Sequence, residues 1–250
     1  MTLPPAFLSR PIAHRGLHDV GAGRAENSVK AVEAALAHGY GIELDVQLSK
    51  DGQAMVFHDY DLGRLTGEKG PVAQRTADEL GNIPLLHDGD GVPTLSAILE
   101  LVSGRTPLLI EIKDQDGAMG PNVGALEQAT ATCLAGYDGL AAVMSFNPHA
   151  VAKMAQLAPD RPRGLVTAAY TAEDWPTIPS ATRAVLREIP DYERTGSCFI
   201  SHDSTDLDRP RVQDLKDQGA TILCWTIKSE AAETAARRIV DNVTFEGYLA

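Results

Sequence analysis

His14 and Arg15, Glu43 and Asp45, His58, and Glu111 and Lys113 are the side chains of this 250-residue chain whose types and spacing suit chemistry. Glu43 and Asp45 stand two apart in an otherwise apolar stretch, and so do Glu111 and Lys113. In a strand such pairs point to one face. Burying three carboxylates and an ammonium is costly unless a cation or a charged substrate compensates. Oxygen-only donors suit a hard divalent metal ion, Mg²⁺ or Ca²⁺, better than zinc, which favours nitrogen and sulfur. Arg15 and Lys113 would supply positive charge for a phosphate. His14 and His58 would be a general acid and base. Metal, cations and two imidazoles around one anion point to phosphoryl chemistry. No G-x-x-x-x-G-K-[ST] loop, G-x-G-x-x-G turn or G-x-S-x-G elbow occurs, so the NTPase, dinucleotide and serine-hydrolase readings lack support.

These residues need strands to carry them. Gly41 to Asp59 reads as a strand, a two-residue Asp51-Gly52 turn and a returning strand, since Asp-Gly between alternating apolar runs is a strong hairpin signal. That register pairs Lys50 with Gln53, sets Val46 opposite Phe57, and sets Asp45 opposite His58. A register shifted by one would turn the imidazole away. His14 and Arg15 end a short strand from Pro11, and Glu111 and Lys113 end one from Leu108. Parallel strands begin at Ile12, Ile42, Leu108, Ala141, Gly164, Cys198, Thr221 and Asn242. Eight such units in one domain of this length indicate a closed (β/α)8 TIM barrel, whose site lies at the C-terminal strand ends. The returning strand Ala54–Phe57 must be antiparallel and outside the barrel. Residues 1–250 thus read as one domain, with 60–93, rich in Gly and Pro, as a small insertion over the barrel mouth after the second strand. Asn27 is the expected N-cap of a helix stopped near Gly39, and Thr94 that of a helix ended by Gly104. His202 and Asp203, ending the sixth parallel strand, are further candidates for lining the mouth.

Bulk properties narrow the partners. The chain is 44% hydrophobic and 22% charged, with a formal net charge of −12, which argues against a nucleic-acid partner. Cys133, Cys198 and Cys224 sit far apart in apolar stretches and read as free buried thiols in a reducing compartment. The first residues lack a basic and apolar signal pattern, and no apolar run approaches the ~18 residues of a membrane span. A cytoplasmic protein without stable membrane insertion is expected, and pattern alone leaves the oligomeric state open.

His14-Arg15-Gly16, Glu26-Asn27-Ser28, Glu43-Leu44-Asp45-Val46 and His58-Asp59 together resemble the glycerophosphodiester phosphodiesterase family. The likeness continues through Leu65-Thr66-Gly67, Pro93-Thr94-Leu95, Glu111-Ile112-Lys113, Ser145-Phe146 and Trp225-Thr226, and covers most of the chain in order. The resemblance implies a TIM barrel in which Glu43, Asp45 and Glu111 match metal ligands and His14 and His58 the acid and base. Arg15 and Lys113 match phosphate contacts, and Trp225 an apolar pocket wall. It also implies a small-molecule glycerophosphodiester substrate, hydrolysed to glycerol 3-phosphate and an alcohol with a divalent metal. A lysophospholipase D-like activity and a non-catalytic phosphodiester-binding barrel are the alternatives. The chain departs from the family pattern at three places. Ala25 stands for a frequent Pro, Lys228 for the usual Asn after Trp-Thr, and Thr244-Phe245-Glu246 for a usual Thr-Asp pair. The last two lie on the last two strands and bear on alcohol specificity.

Overall fold

Most barrel strands carry apolar residues on both faces, as strands buried on both sides do. The second turns Glu43 and Asp45 inward, and the last turns Val243 and Phe245 outward and Asn242 and Thr244 inward. The computed structural model describes residues 1–250. In chain order the elements are α1 (Ala6–Ser9), β1 (Ile12–Ala13), α2 (Val29–His38), β2 (Gly41–Leu48), β3 (Ala54–Val56), α3 (Gly63–Thr66), α4 (Ala77–Gly81), α5 (Leu95–Val102), β4 (Leu108–Ile112) and α6 (Ala125–Ala135). They continue with β5 (Ala141–Ser145), α7 (Pro148–Leu157), β6 (Arg163–Thr167), α8 (Ser180–Arg187), β7 (Phe199–Asp203), α9 (Pro210–Asp217), β8 (Thr221–Ile227), α10 (Glu230–Ala236) and β9 (Asn242–Phe245). The strands run in the order β1-β9-β8-β7-β6-β5-β4-β2-β3, and a β1–β2 pairing closes the ring. Eight strands are parallel, and β3 alone is antiparallel, hydrogen-bonded outside the ring to β2.

Strand parity divides the core in two. Ile42, Leu44 and Val46, with Ile110, Val143, Ile200, Ile222 and Val243, face outward and pack with the helices in a 40-residue cluster. The alternate residues Ile12, Leu109, Met144, Val166, Phe199 and Leu223 fill the barrel interior, joined by Leu3 and Phe7. Asn242 holds that N-terminal segment in place, donating at 2.7 Å to the carbonyls of both Phe7 and Arg10. Each such large apolar side chain contributes about 1.5–3 kcal/mol on burial.

Two local expectations change. The hairpin pairs Val46 with Val56, Gln47 with Met55 and Leu48 with Ala54, one residue away from the register expected from a two-residue turn. The reason lies in the turn: a two-residue Asp-Gly loop needs positive φ at both positions. Here Gly52 takes φ +79° and Asp51 does not. The loop is therefore Lys50-Asp51-Gly52, closed by Ser49 N–H donating to Gln53 O at 2.9 Å. Asp51 is drawn outward by Ser49 Oγ (2.6 Å) and the Ala77 amide (2.9 Å). The second correction concerns α2, whose cap is Ser28, accepting from the Ala31 amide at 3.1 Å. Asn27 is held at φ +58° and turned toward β2 instead. Thr94 caps α5 as expected, and that helix ends on Ser103 just before Gly104. Residues 60–93 carry α3, α4 and a small apolar cluster of their own, with Leu62, Val72, Leu80, Leu85 and Val92 packed on Met55 and Phe57 of the hairpin. No helix is long and apolar enough to cross a membrane.

Candidate active site

A cavity of about 330 Å³ lies at the C-terminal strand ends, lined by His14, Arg15, Glu43, His58, Glu111, Lys113 and Trp225 among others. Strand parity puts them there. Glu43 and Asp45 on β2 and Glu111 on β4 continue the inward faces, and the β2–β4 register sets Asp45 beside Glu111. A larger open cleft of about 1020 Å³, between α5 and α6, is lined by none of these residues.

The carboxylates of Glu43, Asp45 and Glu111 offer oxygens within 4.8 Å of one another. Burial, reinforced by the charges of Asp45 and Glu111, pushes Glu43 well above the ordinary carboxylate range. Burial works the same way on Asp45, but Lys113, His58 and Arg15 outweigh it and hold Asp45 below its ordinary value. Lys113 bridges the group, with Nζ 2.8 Å from Asp45 and 2.6 Å from Glu111. Three crowded, dry carboxylates form an oxygen-only set with charge to spare, and a hard divalent cation relieves such crowding. The residues present fit that group.

The first β-strand delivers His14 and Arg15 through a sharp exit. Gly16 takes φ +76°, and a Cβ there would lie 2.8 Å from the Ala31 carbonyl carbon, so the turn needs glycine. Arg15 itself sits at φ +54°, an arrangement that costs of order 1–3 kcal/mol. The constraint brings its amide to Glu43 Oε2 at 2.9 Å. Its guanidinium contacts Glu26 at 2.7 Å and Asp45 at 3.4 Å. Asn27 grips Asp45 from both sides, donating from Nδ2 to Oδ2 at 2.8 Å and accepting from the Asp45 amide at 3.2 Å.

Both imidazoles have a carboxylate on Nδ1. His14 Nδ1 lies 2.6 Å from Glu246 Oε2, and its Nε2 is 4.0 Å from Glu43. Burial lowers the His14 pKa, against the hydrogen bond to Glu246. His58 Nδ1 lies 2.6 Å from Asp59, which Arg64 clamps at 2.6 and 2.9 Å while also gripping both Glu26 oxygens at 2.8 Å. β3 ends at Val56, so His58 is on the loop beyond it, its carbonyl accepting from Gln47 Nε2 at 3.0 Å. Strand parity therefore does not govern its ring, and the shifted register does not turn it away from the cavity.

The chain matches the Glycerophosphoryl diester phosphodiesterase family over residues 14–246. The chain belongs to that family. It is 28% identical over 236 residues to a putative glycerophosphodiester phosphodiesterase, YhdW, of Bacillus subtilis, covering 90% of this chain and 88% of that protein. It is 30% identical over 174 residues to a glycerophosphodiester phosphodiesterase of Caldanaerobacter subterraneus, covering 66% and 69%. Its fold superimposes with a TM-score of 0.76 on an Oleispira antarctica phosphodiesterase solved in complex with the product sn-glycerol-3-phosphate. That pair is 26% identical and covers 96% of this chain and 94% of the other.

Within this family framework, Trp225 stands on the cavity wall with Met144, Phe146 and Val166, its ring edge-on to Phe146 at 5.6 Å. His202 is not at the mouth: it is fully buried on the outward face of β7, 2.8 Å from Thr167 Oγ1. Its neighbour Ser201 takes the inward position and lines the cavity, while Asp203 does not. His18, Glu26, Ser201 and Thr244 line the cavity as well, though none stands out in the sequence as a lining residue. Counting inward positions two by two along β7 and β9 would have found Ser201 and Thr244. Lys228 and Glu246, noted only as departures from the family pattern, line the cavity too.

Proposed function

We propose that the cavity hydrolyses glycerophosphodiesters to glycerol 3-phosphate and an alcohol, with His14 and His58 as acid and base. As a family member the chain is a phosphoric diester hydrolase. The observation that carries the finer reading is that two imidazoles, each with Nδ1 on a carboxylate, reach one cavity beside three carboxylates and two cations. Glu43, Asp45 and Glu111 would hold a divalent ion, Mg²⁺ or Ca²⁺, which when bound supplies charge neutralisation at a phosphate oxygen. Arg15 and Lys113 bind the remaining phosphate charge, and their planar-fork and point-charge geometries suit different oxygens. One histidine takes a proton from the nucleophile through Nε2, and the other donates one to the leaving alcohol. By family likeness the nucleophile is the substrate's own 2-hydroxyl, passing through a cyclic phosphate, with direct attack by water as the competing scheme. Trp225, Phe146 and Met144 give the substrate's carbon skeleton an apolar wall.

Residues 1–250 act in this reading as one phosphodiesterase domain, and 60–93 as an insertion over the mouth. The support is that Arg64 of α3 reaches Glu26 and Asp59, and that the Tyr60 hydroxyl donates to the Asp114 carbonyl. Three free cysteines support a reducing, cytoplasmic setting. Hydrolysis rates on glycerophosphocholine and lysophosphatidylcholine test the substrate. Faster release from glycerophosphocholine is expected, and a preference for the acylated substrate would shift the reading to a lysophospholipase D-like activity.

A further inference from the structure

Two of the three places where this chain departs from its family's pattern meet in space. Lys228 Nζ lies 2.8 Å from Glu246 Oε1, and the second oxygen of the same carboxylate lies 2.6 Å from His14 Nδ1. His18 Nε2, a buried atom that makes no hydrogen bond, approaches that second oxygen at 3.4 Å. Glu246 follows the end of β9 and His14 the end of β1, strands paired in the ring, so the contact joins two adjacent strand ends across the cavity rim.

We propose that Glu246 is a positioning residue for His14, with its carboxylate held in the working orientation by Lys228. The inference rests on the catalytic reading of His14 given above. An ionised carboxylate only accepts hydrogen bonds, so a 2.6 Å contact places the hydrogen on His14 Nδ1. Nε2 of the neutral ring is then free of hydrogen and faces the cavity, where Glu43 lies 4.0 Å away. The arrangement follows the logic of a carboxylate that sets the tautomer and angle of a catalytic histidine. Lys228 matters because its ammonium can only donate. It takes Oε1 and leaves Oε2 to the imidazole. The His58 side is built differently: Asp59 is held by the two-pronged Arg64 guanidinium, whereas the Lys228 side chain is 70% exposed and grips from one point.

This geometry makes an unusual demand on Glu246→Gln. Its amide has one oxygen, and the Lys228 ammonium claims it. The NH₂ then faces His14 Nδ1, which must accept, and the hydrogen moves to Nε2. The variant should fall about 10- to 100-fold in kcat with KM changed less than about threefold, a smaller loss than the about 10²–10⁴ of a whole general acid or base. Adding Lys228→Met should release the amide oxygen to His14 and restore part of that loss, so the double variant outpaces Glu246→Gln alone. Glu246→Asp, which keeps the acceptor, should be milder than Glu246→Gln.

The experiment is steady-state kinetics on these variants with glycerophosphocholine, together with imidazole ¹⁵N spectra of the full-length enzyme, His14 being assigned by its loss in His14→Gln. The expected spectrum has hydrogen on His14 Nδ1 in the parent and on Nε2 in Glu246→Gln. A parent His14 carrying its hydrogen on Nε2, or a Glu246→Gln enzyme with unchanged kcat, would overturn the proposal. A double variant no faster than Glu246→Gln would overturn the part given to Lys228. If Glu246→Gln does not fold, the parent spectrum and Glu246→Asp still decide. The spectra need no substrate, so they test the positioning of His14 even if glycerophosphocholine is not turned over, an outcome that would count against the proposed function instead.

Discussion

Charge crowding at the strand ends explains why these residues sit where they do. Glu43, Asp45 and Glu111 are each less than a tenth exposed, and Lys113, Arg15 and the grip of Asn27 compensate only part of that cost. Replacing His14 or His58 by Ala should lower turnover about 10²–10⁴-fold while leaving circular dichroism and metal binding close to the parent; near-normal activity in either variant would remove it from the acid–base pair. Asn27→Ala leaves a buried carboxylate short of a donor, so it should cost about 1–3 kcal/mol in stability and weaken metal binding about 10- to 100-fold. Denaturant unfolding and a metal titration measure the two effects, and unchanged values would show that Asn27 does not support Asp45. The pairs Glu43/Asp45 and Glu111/Lys113 were legible in the sequence because charges two apart in an apolar run have few harmless destinations. Asn27 looked like a helix cap, since the same side chain serves both purposes and only the neighbouring Ser28 decides between them. Glu246 had no co-facial partner in sequence; its partners His14, His18 and Lys228 come from other strand ends.

Elements set the angles at which those residues meet. The hairpin was legible as a hairpin, but Asp51-Gly52 fits both a two- and a three-residue loop. The pull of Ala77 and Ser49 on Asp51, a contact made partly by a distant helix, goes with the longer one. The loops after β1 and β3 are tied together by the chain Arg15–Glu26–Arg64–Asp59–His58. Burial raises Glu26, yet hydrogen bonds from Arg64 and the charge of Arg15 outweigh it and bring its pKa below the ordinary 4.5. Asp59 is lowered against burial in the same way, by His58 and Arg64, from 3.8. A carboxylate with a native pKa below its unfolded value binds fewer protons when folded. Its stabilisation is complete above the unfolded value and is lost as pH falls toward the native one. Arg64→Ala should therefore be less stable than the parent at pH 7, by about 1 kcal/mol because Arg64 is half exposed. The gap should narrow as pH drops below about 4.5. Thermal melts of both proteins across that range check this, and a gap independent of pH would contradict the network's role.

At the scale of the whole molecule, the barrel keeps two apolar layers on either side of the strands and reserves the C-terminal ends of the inner layer for polar groups. That division was legible: all eight parallel strands could be located because their apolar runs recur between helical patterns, and eight such units leave closure as the economical solution. The contribution of α1 was not, since a four-residue helix has no periodicity to detect, yet Phe7 belongs to the interior cluster. The fold, the family and the cavity converge on one reaction. Its most direct measurement is glycerol 3-phosphate release from glycerophosphocholine and glycerophosphoethanolamine by chelated enzyme, with Mg²⁺, Ca²⁺ or Mn²⁺ then added singly. The expected result is release that chelation abolishes and at least one of these ions restores. No release from either diester under any ion, or release untouched by chelation, would contradict it.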